Sequence, residues 1–128
     1  MLAYEKLDAW KSAQALVLAL YEALPPAAAR SSPDPGSVVR LHRTALRAVG
    51  RIAFGSGTRS RKMFRRALER AAGHLSEFAY QLAVAQARGV LTQPVADRLG
   101  ALRGRASFYT WQLLETLIAG GDARGRDR

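Results

Sequence analysis

The sequence predicts an all-α protein, an antiparallel up-down four-helix bundle, on three observations. Apolar residues recur at alternating steps of three and four along four separate segments, a spacing that gathers them on one face of a helix. Glycine, proline and serine collect between those segments, where the chain must reverse. No stretch shows the strict alternation of a half-buried strand. Short links at 55–60 and 89–93 make consecutive helices antiparallel neighbours. The expected helices are about 4–24, 38–54, 60–88 and 94–119, in a single domain of residues 1–119. A disordered basic tail, 120–128, is expected to follow.

In the first segment Ala3, Trp10, Val17 and Leu24 fall seven apart, with Ala13 and Leu20 on the neighbouring row. The connection "PPAAARSSPDPGS" (25–37) holds four of the five prolines and reads as irregular, with Ser37 placed to cap the second helix. The second helix carries Val38, Leu41, Ala45, Ala48 and Ile52 on one row, and Gly55 and Gly57 are expected to end it. Ser60 is placed to cap the third, whose row is Phe64, Leu68, Ala71, Leu75, Phe78 and Leu82. Gly89 suits the left-handed residue after a helix, and Thr92 with Pro94 suits the start of the fourth. There the row is Val95, Leu99, Leu102, Ala106, Tyr109 and Leu113. The tail "GGDARGRDR" offers no apolar face.

At 128 residues the chain suits one domain with a real core. Without cysteine, disulfides, thiolate chemistry and Cys-based zinc sites are excluded. The charged N-terminus lacks the core of a signal peptide, and the longest apolar run, "ALVLAL", is far too short to cross a bilayer. A cytoplasmic protein with no membrane partner is expected. The net charge of +10 favours a polyanionic partner. Arginine outnumbers lysine 17 to 3, but that preference does not explain why bases outnumber acids two to one.

Between 40 and 70 lie ten cations, Arg40, Arg43, Arg47, Arg51, Arg59, Arg61, Lys62, Arg65, Arg66 and Arg70, against one acid, Glu69. Arg40, Arg47 and Arg51 fall within about 40° of one another around their helix, with Arg43 about 60° to one side. Cations in the first turns of the third helix oppose its macrodipole, so local helix stability does not account for them. Arginine forks matched to phosphate oxygens would. These ten residues are therefore the candidate nucleic-acid contacts, to RNA or DNA backbone; a solvated basic face or an acidic protein partner would place them similarly. The "GSGTRS" loop lacks the spacing of a nucleotide P-loop and follows a helix, not a strand.

Larger patterns add a resemblance. Tyr4, Leu7 and Trp10 open the chain, Arg43, Ile52, Ala53 and Gly55 close the second helix, and Arg59, Ser60 and Phe64 follow. "LERAAGHLSEFAYQL" then supplies Leu68, Ala71 or Ala72, Gly73, Leu75, Glu77, Phe78, Gln81 and Leu82. Together, over roughly residues 4–118, these resemble the small proteins encoded in intervening sequences of bacterial 23S rRNA genes. Here Phe54 stands where that family usually has Glu, Arg51 where Asn is common, His74 for a Ser and Ala79 for an acid. The resemblance implies a four-helix bundle that often assembles as a homopentameric ring. It also implies a distant relation to the nucleic-acid-binding accessory protein of diversity-generating retroelements.

The remaining polar residues do not compose a catalytic set. Arg70, His74, Glu77 and Gln81 lie on one side of the third helix, but a di-iron bundle needs Glu-x-x-His on two helices, and the order here is reversed. No metal or cofactor is expected. His42 and His74, on different helices, would have to serve as acid and base in any RNA cleavage, and no nucleophile accompanies them. A non-catalytic nucleic-acid-binding bundle is the expectation, with a protein scaffold or adaptor as the alternative. Phe54, Tyr80, Phe108 and Trp111 fall off the core rows. On the fourth helix Ser107, Trp111, Leu114 and Ile118 form a second apolar stripe, and Trp111, Leu114 and Ile118 are the expected oligomer interface.

Overall fold

Each of the four periodic segments forms an α-helix in the computed structural model, which describes residues 3–126, with side chains described at 4, 5 and 7–120. The helices are α1 (Asp8–Ala23), α2 (Pro35–Gly57), α3 (Arg61–Ala87) and α4 (Gln93–Arg126). Two short 3-10 segments, Ala3–Lys6 and Pro26–Ser31, precede α1 and α2. No strand occurs among the described residues. α2 packs on α3, α3 on α4, α4 on α1 and α1 on α2, so every helix has two helical neighbours and the core lies between them.

The apolar rows explain that core. Val38, Leu41, Ala45, Ala48 and Ile52 of α2 are all buried, as are Leu68, Ala71, Leu75, Phe78 and Leu82 of α3. Leu16, Leu20 and Leu99 complete the centre. Truncating Phe78, which is fully buried, would cost about 3–5 kcal/mol. No described helix is long and apolar enough to cross a membrane.

Two helix ends form as expected. Ser60 Oγ accepts a hydrogen bond from the Met63 N–H at 3.2 Å. Gly89 has φ +77°, while the Val90 N–H reaches Ala85 O at 2.9 Å and the Gly89 N–H reaches Gln86 O at 3.0 Å. That pair of bonds is the Schellman closure that only a left-handed residue permits without strain.

Several boundaries differ from expectation. Ser37 is not the cap of α2; Asp34 is, and the Ser37 hydroxyl donates to Asp34 Oδ2 at 2.7 Å from within the first turn. Pro35, at the first helical position, starts the helix earlier because it has no N–H to leave unpaired. Gly55 and Gly57 do not stop α2 at 54, since both lie within it and neither has positive φ. The helix ends at Thr58, whose hydroxyl donates to Gly55 O at 2.9 Å. The "irregular" 25–37 connection contains a 3-10 turn. The tail from 120, expected to be disordered, continues α4 to Arg126, and residues 127–128 lie outside the described residues. Once a long helix exists, each added residue gains one backbone bond, so two glycines slow its propagation without ending it.

Candidate nucleic-acid interface

The stripe of arginines on α2 runs along the groove between α2 and α3, because the buried row turns one flank of α2 toward α3. Contacts down that groove run in opposite chain order on the two helices. Near one end, Gly55 meets Phe64 and Ala67. In the middle, the Thr44 hydroxyl donates to Glu77 Oε1 at 3.3 Å. At the far end, Ser37 and Arg40 line a depression with Glu77, Tyr80, Gln81 and Val84.

This register brings residues distant in sequence together. Arg51 of α2 and Arg66 and Arg70 of α3 line one depression with Phe54, Met63 and Ala67. Arg47 and Arg51 both act electrostatically on His74, and Arg47, one turn before Arg51 on α2, lies between that depression and the far end. Arg40 stands at the far end, and Arg43 is exposed to one side of the row. Arg59, Lys62 and Arg65 are exposed at the α2–α3 turn and the start of α3. Arg61 departs from the candidate set: its side chain is half-buried, and a Cβ at Gly120 would lie 2.9 Å from its Nη2. It therefore packs toward α4, half a turn away from Arg66 and Arg70 around α3.

Few of these charges are neutralised nearby. Among the described residues, Arg65 pairs with Glu69 at 3.4 Å and Arg40 with Asp34 at 3.8 Å; the other eight cations have no carboxylate within ion-pair distance. Asp34 also meets Arg88 at 3.5 Å. The Ser37 hydroxyl first, and the two arginines after it, hold the Asp34 carboxyl below its ordinary range against the effect of burial. Glu77 sits within the groove, 3.8 Å from His74 Nδ1. Burial lowers the His74 pKa, Arg51 and Arg47 lower it further, and Glu77 opposes them.

The second histidine does different work. His42 is buried beside α1, its Nε2 donating to Leu24 O at 2.6 Å and its ring edge-on to Tyr21. It ties off the carbonyl of Leu24, the residue that caps α1, and belongs to the fold. His74 instead lines the α2–α3 groove. Among the described residues no group of three His, Asp or Glu side chains is placed to hold a metal.

On α4 the expected interface divides. Leu114 is 2% exposed and belongs to the core, and Ile118 packs against that core. Only Trp111 of the three is exposed, and it adjoins Phe108 in a depression with Arg103, Gly104 and Ser107. The reason is a shift in the buried row, which takes in Ala96, Leu99, Ala106, Thr110 and Leu114. Thr110 is fully buried, with its hydroxyl donating to Ala106 O at 2.8 Å. A hydroxyl satisfied by its own helix serves as a core residue, which hydrophobic periodicity passes over.

The family model described as 23S rRNA-intervening sequence protein matches residues 5–104. No curated protein matches the chain, and no solved structure does. The matched segment contains the whole α2–α3 groove and ends before Phe108 and Trp111.

Proposed function

From the premise that the chain belongs to the 23S rRNA-intervening sequence protein family, we propose that it is a non-catalytic nucleic-acid-binding protein. It grips the phosphate backbone of RNA or DNA through the α2–α3 face. The observation that carries this reading is the convergence of Arg51, Arg66 and Arg70 on one depression, in line with Arg47 and Arg40. A row of guanidinium groups from two helices, mostly without carboxylates, suits phosphates spaced along a strand. Arg43, Arg59, Lys62, Arg65 and the partly paired Arg40 extend the same field. In this reading the helices alternate in direction as an up-down bundle. Copies assemble into a ring, with five the number the resemblance implies, so that one nucleic acid meets the face several times.

A salt series tests it. Binding of labelled structured RNA and of a matching DNA duplex is measured from low to physiological salt, for the native chain and for Arg47→Glu with Arg70→Glu. The native chain should give a linear log–log decline in affinity, with a slope of about 0.9 per duplex phosphate neutralised. The double reversal, one residue from each wall of the groove, should lower that slope by about two. An unchanged slope would move the contacts elsewhere. No binding at low salt would favour the second reading, a scaffold or adaptor that docks another protein. Phe108 and Trp111, exposed side by side on α4, are the observation in its favour.

A further inference from the structure

Two aromatic rings stand on the basic face without contributing to the core. Phe54 is 58% exposed and Tyr80 is 73% exposed. A lone exposed aromatic needs no explanation, but the company of these two does. Phe54 shares its depression with Arg51, Arg66 and Arg70, and Tyr80 shares its own with Arg40 and Glu77. They mark the two ends of one groove, with Arg47 between them. Two carboxylates border that stretch: Glu77, engaged by the Thr44 hydroxyl and His74, and Asp34, paired with Arg40 at 3.8 Å.

A duplex offers this face phosphates only, because its bases are stacked inside. A single strand offers phosphates together with free π-faces, and an aromatic ring flanked by arginines matches both at once. We propose, building on the nucleic-acid reading above, that the ligand of this face is single-stranded nucleic acid. Its bases stack on Phe54 and Tyr80, and the arginines hold the phosphates between. Arg40 and Phe54 are fourteen residues apart on α2, about 21 Å along the axis. At about 3.4 Å per nucleotide of a stacked strand, the groove spans roughly six nucleotides. Stacking reads no base edge, so the binding is tolerant of sequence.

The test uses a fluorescein-labelled 12-nucleotide oligo(dT), an oligo(U) of the same length, and a 12-base-pair DNA hairpin. The full chain is titrated as native, Phe54→Ala, Tyr80→Ala, Phe54→Tyr and Arg47→Glu, with far-UV circular dichroism confirming the fold of each. Each alanine variant should bind both single strands about tenfold or more weakly and the hairpin unchanged, while Phe54→Tyr keeps native affinity. Equal losses on strand and hairpin would overturn the proposal. Unchanged strand binding in both alanine variants would overturn it too; if Arg47→Glu still weakens binding, backbone recognition stands without stacking. If the native chain binds none of the three probes at low salt, the nucleic-acid reading fails and the stacking proposal with it.

Discussion

His74 shows how a basic groove acts on a single residue. Its imidazole lies 3.8 Å from Glu77, yet burial and the nearby Arg51 and Arg47 outweigh that carboxylate and keep the ring's pKa below the ordinary 6.5. Unfolding releases the ring to that ordinary value, so below about pH 7 the unfolded chain binds more protons than the folded one. Stability from this group is therefore full above the unfolded pKa and is lost as pH falls through the folded one. Urea midpoints measured from pH 7 down to pH 5 should decline for the native chain and decline less for His74→Gln, which takes up no proton. An identical slope in both would assign the effect to another group. Asp34 is a poor candidate for that range: its carboxyl, held low by Ser37, Arg88 and Arg40, loses its contribution only in stronger acid.

At the scale of the element, Gly55 decides how closely α2 approaches α3. A Cβ there would lie 2.8 Å from Ala67 Cβ and 2.8 Å from a ring carbon of Phe64, and the first of these cannot rotate away. Gly50, on the same helix, has nothing within 4 Å of its would-be Cβ. Gly50→Ala should raise stability by up to about 1 kcal/mol through helix propensity alone. Gly55→Ala should lower it by about 1–2 kcal/mol, since the overpacking cost exceeds the same propensity gain. Thermal melts of the two variants should thus shift in opposite directions, and a stabilising Gly55→Ala would mean the helices part freely. The pair also marks what sequence could convey. The α2 row Val38–Ile52 and the arginine stripe on its flank follow from period alone. Gly55 reads as a stop because a glycine required for close approach and one required to end a helix look alike in sequence. Likewise, that Arg66 and Arg70 face Arg51 while Arg61 turns toward α4 depends on the rotation of α3 against α2. Leu114 reads as an interface residue because α4 has two apolar stripes and only its neighbours decide which one is buried, while Thr110 lies on neither stripe.

For the whole molecule, the basic groove and the exposed aromatics of α4 occupy different helices. A ring assembled through Phe108 and Trp111 would leave the α2–α3 face of every copy uncovered and would repeat it around the assembly. The second and later contacts then become intramolecular, and avidity can exceed the affinity of one face by 10²–10⁴-fold. Trp111 is the residue to change, because it is exposed; a charge at Leu114 would disrupt the core and test folding instead. In the proposed ring, the native chain should sediment as an oligomer and Trp111→Glu as a monomer of 13.9 kDa. Its affinity for a six-nucleotide strand, which engages one face, should stay native. Its affinity for a strand long enough to cross several faces should fall at least tenfold. A native chain that already sediments at 13.9 kDa would remove the ring, and each α2–α3 groove would have to hold its ligand alone.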